Sequence, residues 1–231
     1  MAESPLDVRT LVTVEQVHAA SALFDEVWPG ERGTMPANIL RALEHTGDYV
    51  VGVYEGGRML GASAAFFGPP AARTLHSHIT GVLPGAQGRG IGRAIKLHQR
   101  EWARERGVER ITWTFDPLIA RNAHFNLNVL GADVAEYLVD QYGSMSDDVN
   151  RGDASDRLMA SWRVDGIPLA PPSDVVAVVG IPRDIAALRV AAPGEAAEWR
   201  LRVRQEFAQQ RSEGLRVGGF DPERGYLFVS V

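Results

Sequence analysis

The stretch that most constrains this chain runs from Thr74 to Arg106, TLHSHITGVLPGAQGRGIGRAIKLHQREWARER. Leu75 to Val82 is short, partly β-branched and closed by Leu83-Pro84-Gly85, the pattern of a strand ending at a breaker. Gln87-Gly88-Arg89-Gly90-Ile91-Gly92 follows, and then Ile91, Ile95, His98 and Trp102 recur at helical spacing. Glycines at such a junction let the backbone turn tightly and leave amide N–H groups uncovered. The helix that follows adds its positive N-terminal end. The combination suits an anion such as a pyrophosphate.

The flanking pattern narrows the anion. A Walker loop needs G-x-x-x-x-G-K-[ST], which is absent, and in a dinucleotide fingerprint the third glycine position would be Ile95. Gln87, Gly90 and Gly92 instead satisfy Q/R-x-x-G-x-G/A directly after a strand. This resembles the acyl-CoA signature of the GNAT acyltransferase superfamily; by itself the pattern equally describes a tight strand-to-helix turn. The surrounding order adds to the resemblance. Val8 to Val12 reads as a strand, Thr13-x-x-Gln16 as a capping box, and Val17, Ala20, Phe24, Val27 and Trp28 as a buried helix face. Pro36 to His45 is a second helix. Tyr49 to Tyr54 and Met59 to Phe67 flank Gly56-Gly57 as a hairpin.

Beyond the glycine loop, Ile111 to Phe115 reads as a strand stopped by Asp116-Pro117, and Arg121 to Ala132 as a helix closing at Gly131. Tyr137 to Tyr142 and Arg157 to Val164 read as the last core strands, joined by the polar segment 143–156. The resemblance covers about residues 5 to 165. It implies an α/β (α+β) GNAT fold, a mixed, mostly antiparallel central sheet flanked by helices. The phrases SHITGVLP, ITWTFDPLIARNAHFN and SDRL resemble a bacterial branch with an added C-terminal segment, some members of which are linked to N-succinylation of amino acids. After a Pro-rich linker at Ile167 to Ser173, a strand (Val175–Val179), a helix (Pro193–Ser212) and two strands (Leu215–Phe220, Tyr226–Val231) form a small α+β unit. The expected domains are therefore 1–166 and 167–231. The second is too small to bury its Trp199, Val203 and Phe207 stripe alone, so it should pack on the core or on a partner subunit of a homodimer.

Composition excludes several functions. A net charge of −5 offers no basic stripe for nucleic acid. With Cys 0 there is no disulfide, thiolate metal site or cysteine nucleophile. No long apolar run or signal pattern is visible, so the expectation is a cytoplasmic protein that does not bind membranes.

Acyl transfer to an amine needs a base to free the amine, donors for the developing oxyanion, and at most an acid for the leaving thiolate. His76 and His78 are alternate residues of one strand and share a face. Serotonin N-acetyltransferase is similar in having two histidines at these offsets from its strand-end valine, in a proton relay; His78 is the better candidate base, and His76 reads equally as a hydrogen-bonded core residue. An H-x-H pair also fits zinc or iron, but no third ligand stands at a nearby spacing, so no metal is expected. The resemblance implies that backbone N–H at Val82 or Leu83 meets the oxyanion, and that Gln87, Gly88, Arg89, Gly90, Ile91 and Gly92 hold the CoA pyrophosphate. Asn122 and Asn126 then face the pantetheine amides; otherwise Asn122 caps a helix and Asn126 lies on an exposed face. Many family members carry Tyr four residues before the glycine that closes this helix, where this chain has Leu127. Tyr137 or Tyr142 would have to supply that proton, or none is needed. Asp116 could receive the substrate ammonium or merely start a turn. Arg157 could read a carboxylate, or pair with Asp153 or Asp156. The expected reaction is transfer from acetyl-CoA, or another acyl-CoA such as succinyl-CoA, to a small amine or amino acid. A non-catalytic acyl-CoA-binding module and a protein N-acetyltransferase are the alternatives.

Overall fold

The computed structural model describes residues 6–29, 33–143, 153–166 and 172–231, which form two compact units, Met1–Thr112 and Trp113–Val231. Predicted linker residues 144–152 and 167–171 lie outside the described residues.

The first unit follows from local signals. Strand β1 (Asp7–Thr10) stops short of the expected Val12 because the chain turns into the capping box: Thr13 accepts the Gln16 N–H, and Gln16 returns its side chain to the Thr13 N–H. Helix α1 (Val14–Val27) then buries Val17, Ala20, Leu23 and Phe24, and α2 (Ala37–His45) buries Leu40. Strands β2 (Tyr49–Glu55) and β3 (Arg58–Phe67) form the Gly56-Gly57 hairpin, and β4 (Thr74–Val82) pairs antiparallel with β3. Helix α3 (Ile91–Arg104) returns the chain to β5 (Arg110–Phe115), whose first residues pair parallel with Thr74–His76. The unit is thus antiparallel throughout β1-β2-β3-β4, with one parallel pair at β4-β5. One apolar core joins α1, α2, the sheet and Ile91 and Ile95 of α3.

In the second unit the helix expected over 121–132 is α4 (Ala120–Ala123), continuing as a π-helical turn over His124–Val129, with Leu130 N–H donating to Phe125 C=O. The strand expected over 137–142 is displaced: β6 runs Asp133–Leu138 and pairs antiparallel with β7 (Arg157–Arg163). Asp140 at φ +47 and Gly143 at φ +67 turn the chain away, so Tyr142 sits in a turn. The C-terminal part contributes β8 (Ala177–Val179), α5 (Ile185–Ala191), α6 (Pro193–Ser212), β9 (Leu215–Asp221) and β10 (Gly225–Ser230), the strands ordered β8-β10-β9 and antiparallel. Helix α5 is absent from the sequence reading, although Asp184 caps it by accepting the Ala187 N–H. The inner face of α6 is Ala196, Arg200, Val203 and Phe207, and Phe207 packs on Tyr137, Tyr226 and Phe228. A buried arginine in that stripe is invisible to hydrophobic periodicity.

Candidate functional site

The glycine run has the predicted shape. Gly88 and Gly90 both lie at φ +79, a conformation that side chains with a Cβ rarely adopt, and Gly90 is the N-cap of α3 with no side-chain cap. A Cβ added at Gly88, Gly90 or Gly92 would meet nothing within 4 Å, so the space beside these Cα atoms is open. The first intrahelical bond is Ala94 N–H to Gly90 C=O, and the helical N–H groups before it point outward. Gln87 and Arg89 are exposed, and Arg89 pairs with Glu55 at 2.5 Å. A pyrophosphate-bearing molecule fits this cradle: uncovered amides, a helix N-terminus and no side chain in front.

The end of β4 separates its two oxyanion candidates. Leu83 N–H donates to Leu60 C=O at 3.0 Å and is therefore engaged by β3. Antiparallel pairs alternate between hydrogen-bonded and non-hydrogen-bonded. Val82, opposite Gly61, is thus turned so that its N–H faces away from β3. Pairing with β5 covers only Thr74–His76. Val82 remains as the amide available at the strand end.

A register shift between Ala64 and Ala65 marks a bulge in β4, a device that re-aims side chains near sites. His76 and His78 stand on one face, rings 6.3 Å apart, with the Phe66 ring 5.2 Å and 5.7 Å from them. His76 is half-buried, and its Nδ1 lies 3.3 Å from Thr112 Oγ1. Burial lowers its pKa, helped by the charges of His78 and Lys96. His78 is exposed as a residue, yet desolvation by the protein behind its ring still lowers its pKa. Both are therefore neutral, and able to accept a proton, at neutral pH.

The candidates of the second unit are mostly engaged. Asp116 is buried: Oδ1 accepts from Arg200 at 2.7 Å and from the Leu118 N–H, and Oδ2 from Arg189 at 2.6 Å and Arg200 at 3.0 Å. Burial opposes its charge, but the two arginines outweigh that and hold its pKa at about 2. Its geometry is that of a turn start and an ion-pair partner. Tyr137 is half-buried and donates to Asp156, which Arg204 grips at 2.7 and 2.9 Å. Arg157 is buried, donates to Asp156 C=O at 2.9 Å, and lies 5.5 Å from the Tyr142 ring; desolvation lowers its pKa. Asn126 is not on an exposed face: it is buried and its Oδ1 accepts the Trp113 indole N–H at 3.1 Å. Asn122 is not a cap either. Ile119 holds that position, and the Asn122 N–H donates to Ile119 C=O within the first turn. Leu127 is buried. Tyr142 alone of these presents an exposed polar tip, its hydroxyl 2.8 Å from Thr114 Oγ1 and its N–H donating to Ser155 Oγ.

Three neighbours escaped the sequence reading. Thr112 and Thr114 alternate along β5, a signal present but uninformative without knowing their partners. Lys96 sits among apolar positions of α3 and is buried. Among the described residues no group of three His, Asp or Glu side chains is arranged to hold a metal, and no helix is long and apolar enough to cross a membrane.

Residues 15–125 match the model of the "Acetyltransferase (GNAT) family". No curated protein matches the chain. Many solved structures do. An N-acetyltransferase from Staphylococcus aureus Mu50 is 14% identical, with 70% of this chain and 100% of that chain covered and a TM-score of 0.56. A Salmonella typhimurium protein solved with its cofactor acetyl-CoA is 16% identical, over 74% of this chain and 99% of that chain, TM-score 0.56. The ribosomal-protein-S18-alanine N-acetyltransferase of Escherichia coli is 14% identical, over 72% and 99%, TM-score 0.55. These likenesses extend to the fold.

Proposed function

We propose that the chain, whose residues 15–125 match the GNAT acetyltransferase family model, is an N-acyltransferase that acylates the amino group of a small amine or amino acid, using acetyl-CoA or another acyl-CoA such as succinyl-CoA. The observation that carries the reading is the composition of one strand end. β4 holds two neutral histidines on one face and an amide, Val82 N–H, turned from its β3 partner, and leads directly into the Gly88–Gly92 cradle.

Each residue has a stated task. The amides of Gln87 to Gly92 and the start of α3 bind the pyrophosphate. Val82 N–H donates to the developing oxyanion. His78, directly or through water, takes the proton from the acceptor ammonium, because only the free amine attacks; His76, anchored on Thr112, passes it on. A thiolate of pKa about 8.5 leaves without much help, so protonation is a smaller demand. Tyr142, with its exposed hydroxyl held by Thr114, is the candidate for it. Arg157 and Asp116 serve the fold of the second unit on this reading, as do Tyr137 and Asn126. Asn122 remains the candidate for pantetheine. Residues 172–231 belong to an added segment and complete the second unit.

A protein N-terminus is the second acceptor class, favoured by the name of the Escherichia coli structure. Thermal-shift titration with acetyl-, succinyl- and free CoA, followed by thiol release over amines, amino acids and N-terminal peptides, tests both. Acyl-CoA stabilisation with turnover on a small amine or amino acid is the expected result. Turnover on peptides alone selects the second class. Binding with no turnover on any acceptor selects a non-catalytic module.

A further inference from the structure

The inner face of α3 contains one charged residue, Lys96, and it lies against the histidine strand. Its Nζ donates to Ser77 Oγ at 2.8 Å and to Gln99 Oε1 at 3.4 Å. Ser77 is the residue between His76 and His78. Its side chain projects to the α3 face of the sheet while the two imidazoles project to the other, so the ammonium and the rings are separated by one thickness of strand. The lysine is 5% exposed, and in such surroundings a charge is screened far less than in water.

We propose that Lys96 is a positioning residue for the proton chemistry: a buried cation, held by Ser77 behind β4, that keeps His76, and through it His78, in the neutral state needed to accept a proton. The inference rests on the reading of those histidines as the proton acceptors. It gives a use to a lysine at a position where a leucine or methionine would pack at lower cost, since burying an ammonium is expensive.

The surroundings are consistent with that role. Burial lowers the Lys96 pKa to about 7, so the side chain gains its charge as pH falls through neutrality, ahead of the histidines, whose own pKa values are lowered from 6.5. Its hydrogen-bond acceptors include Ser77 from β4 and Gln99 from its own helix, both uncharged, and elsewhere on α3 His98 Nδ1 lies 3.0 Å from the Tyr49 hydroxyl of β2. Burial lowers the His98 pKa as well. The acids on the far turns of α3, Glu101 and Glu105, are exposed and lie within ion-pair range of Arg104 and Arg106. On the other face, His76 meets His78, Phe66 and Thr112, none of them anionic.

The test is an NMR titration of the ring nitrogens in the full chain, with His76→Gln and His78→Gln used for assignment. In Lys96→Met the His76 pKa should rise by about half to one unit, while Lys96→Arg, which keeps the charge, should leave it near the wild-type value. His76 is already neutral over the range in which Lys96 titrates, so His76→Gln should leave the Lys96 pKa, read from its ε-carbon shift, near its wild-type value. Lys96→Gln gives the same readout should the methionine variant misfold. An unmoved His76 titration in a folded, charge-free variant overturns the proposal. Once an acceptor is known, the low-pH limb of kcat should move upward in step with His76. A moved titration with an unmoved limb would keep the coupling and reject the histidines as the base, which separates the two readings.

Discussion

The glycine loop with the end of β4, and the acidic cluster around Asp116, use polar groups in opposite ways. In the first region donors and acceptors are presented outward: Gly90 caps α3 without a side chain, Val82 N–H turns from its strand partner, and His78 is exposed. In the second, Asp116, Asp153 and Asp156 are closed on Arg189, Arg200 and Arg204, with Arg200 1% exposed. The residue types alone would suggest the reverse, since acids and arginines are what substrates usually meet. The difference teaches that a charged residue marks a site only when its partner comes from outside the fold. Here the partners of Asp116 come from 73 and 84 residues further along the same chain.

The comparison breaks most visibly at Asp116. Asp116→Ala leaves two buried guanidiniums short of an acceptor and should cost about 3–5 kcal/mol, measured by denaturant unfolding, with CoA affinity of any folded fraction unchanged. A stable variant that has lost its acceptor would return Asp116 to the substrate. His78→Ala should do the converse. Loss of a general base lowers kcat by about a hundred- to ten-thousand-fold, partly recovered at high pH, with melting temperature and acyl-CoA affinity held. A near-normal kcat at pH 7 removes the role.

Acid sharpens the contrast. The folded pKa of Asp116 is depressed to about 2, so its contribution is complete above the unfolded carboxylate range and is lost as pH falls from about 4 through 2. A shift from 3.8 to about 2 corresponds to roughly 2–3 kcal/mol. Lys96 acts in a different window. Its folded pKa lies below its unfolded value of 10.5, so the cost of burying it grows as pH falls from there to about 7 and is constant below. Unfolding followed from pH 7 to pH 2 should therefore show the Asp116 loss in wild type and its absence in Asp116→Asn. An identical acid profile for the two would show that the pairs contribute nothing.

The smallest effect belongs to Gly90→Val. Its φ of +79 makes any side chain there strained, by about 1–2 kcal/mol, and the added atoms fill the space in front of the loop. CoA affinity should fall at least about tenfold, or 1.4 kcal/mol. Unchanged CoA binding by the folded variant would dissociate the loop from the pyrophosphate.

Much was legible because the deciding signals are local. The Thr13–Gln16 capping box, the Gly56-Gly57 hairpin, the Gly88–Gly92 turn and the alternation of His76 and His78 each depend on residues a few positions apart, and each is found as read. Near Tyr142 the local signal misled. Tyr137 to Tyr142 has strand-like residues, but the left-handed Asp140, whose carboxylate accepts from Ser155 N–H at 3.0 Å, ends β6 early, and that bond spans 15 residues.

Sequence by itself determined the order of the elements from β1 to β5, the glycine turn and the pair of imidazoles, because backbone conformation and side-chain periodicity are set over one or two turns of chain. Only the tertiary structure decided which polar residues are spent. Arg200 is drawn into the α6 stripe by Asp116 and Asp153, Asn126 by the Trp113 indole, Leu83 N–H by β3, and Lys96 by Ser77. Those choices follow from desolvation: a polar group enters the interior only where another, brought by a distant segment, replaces the water it loses.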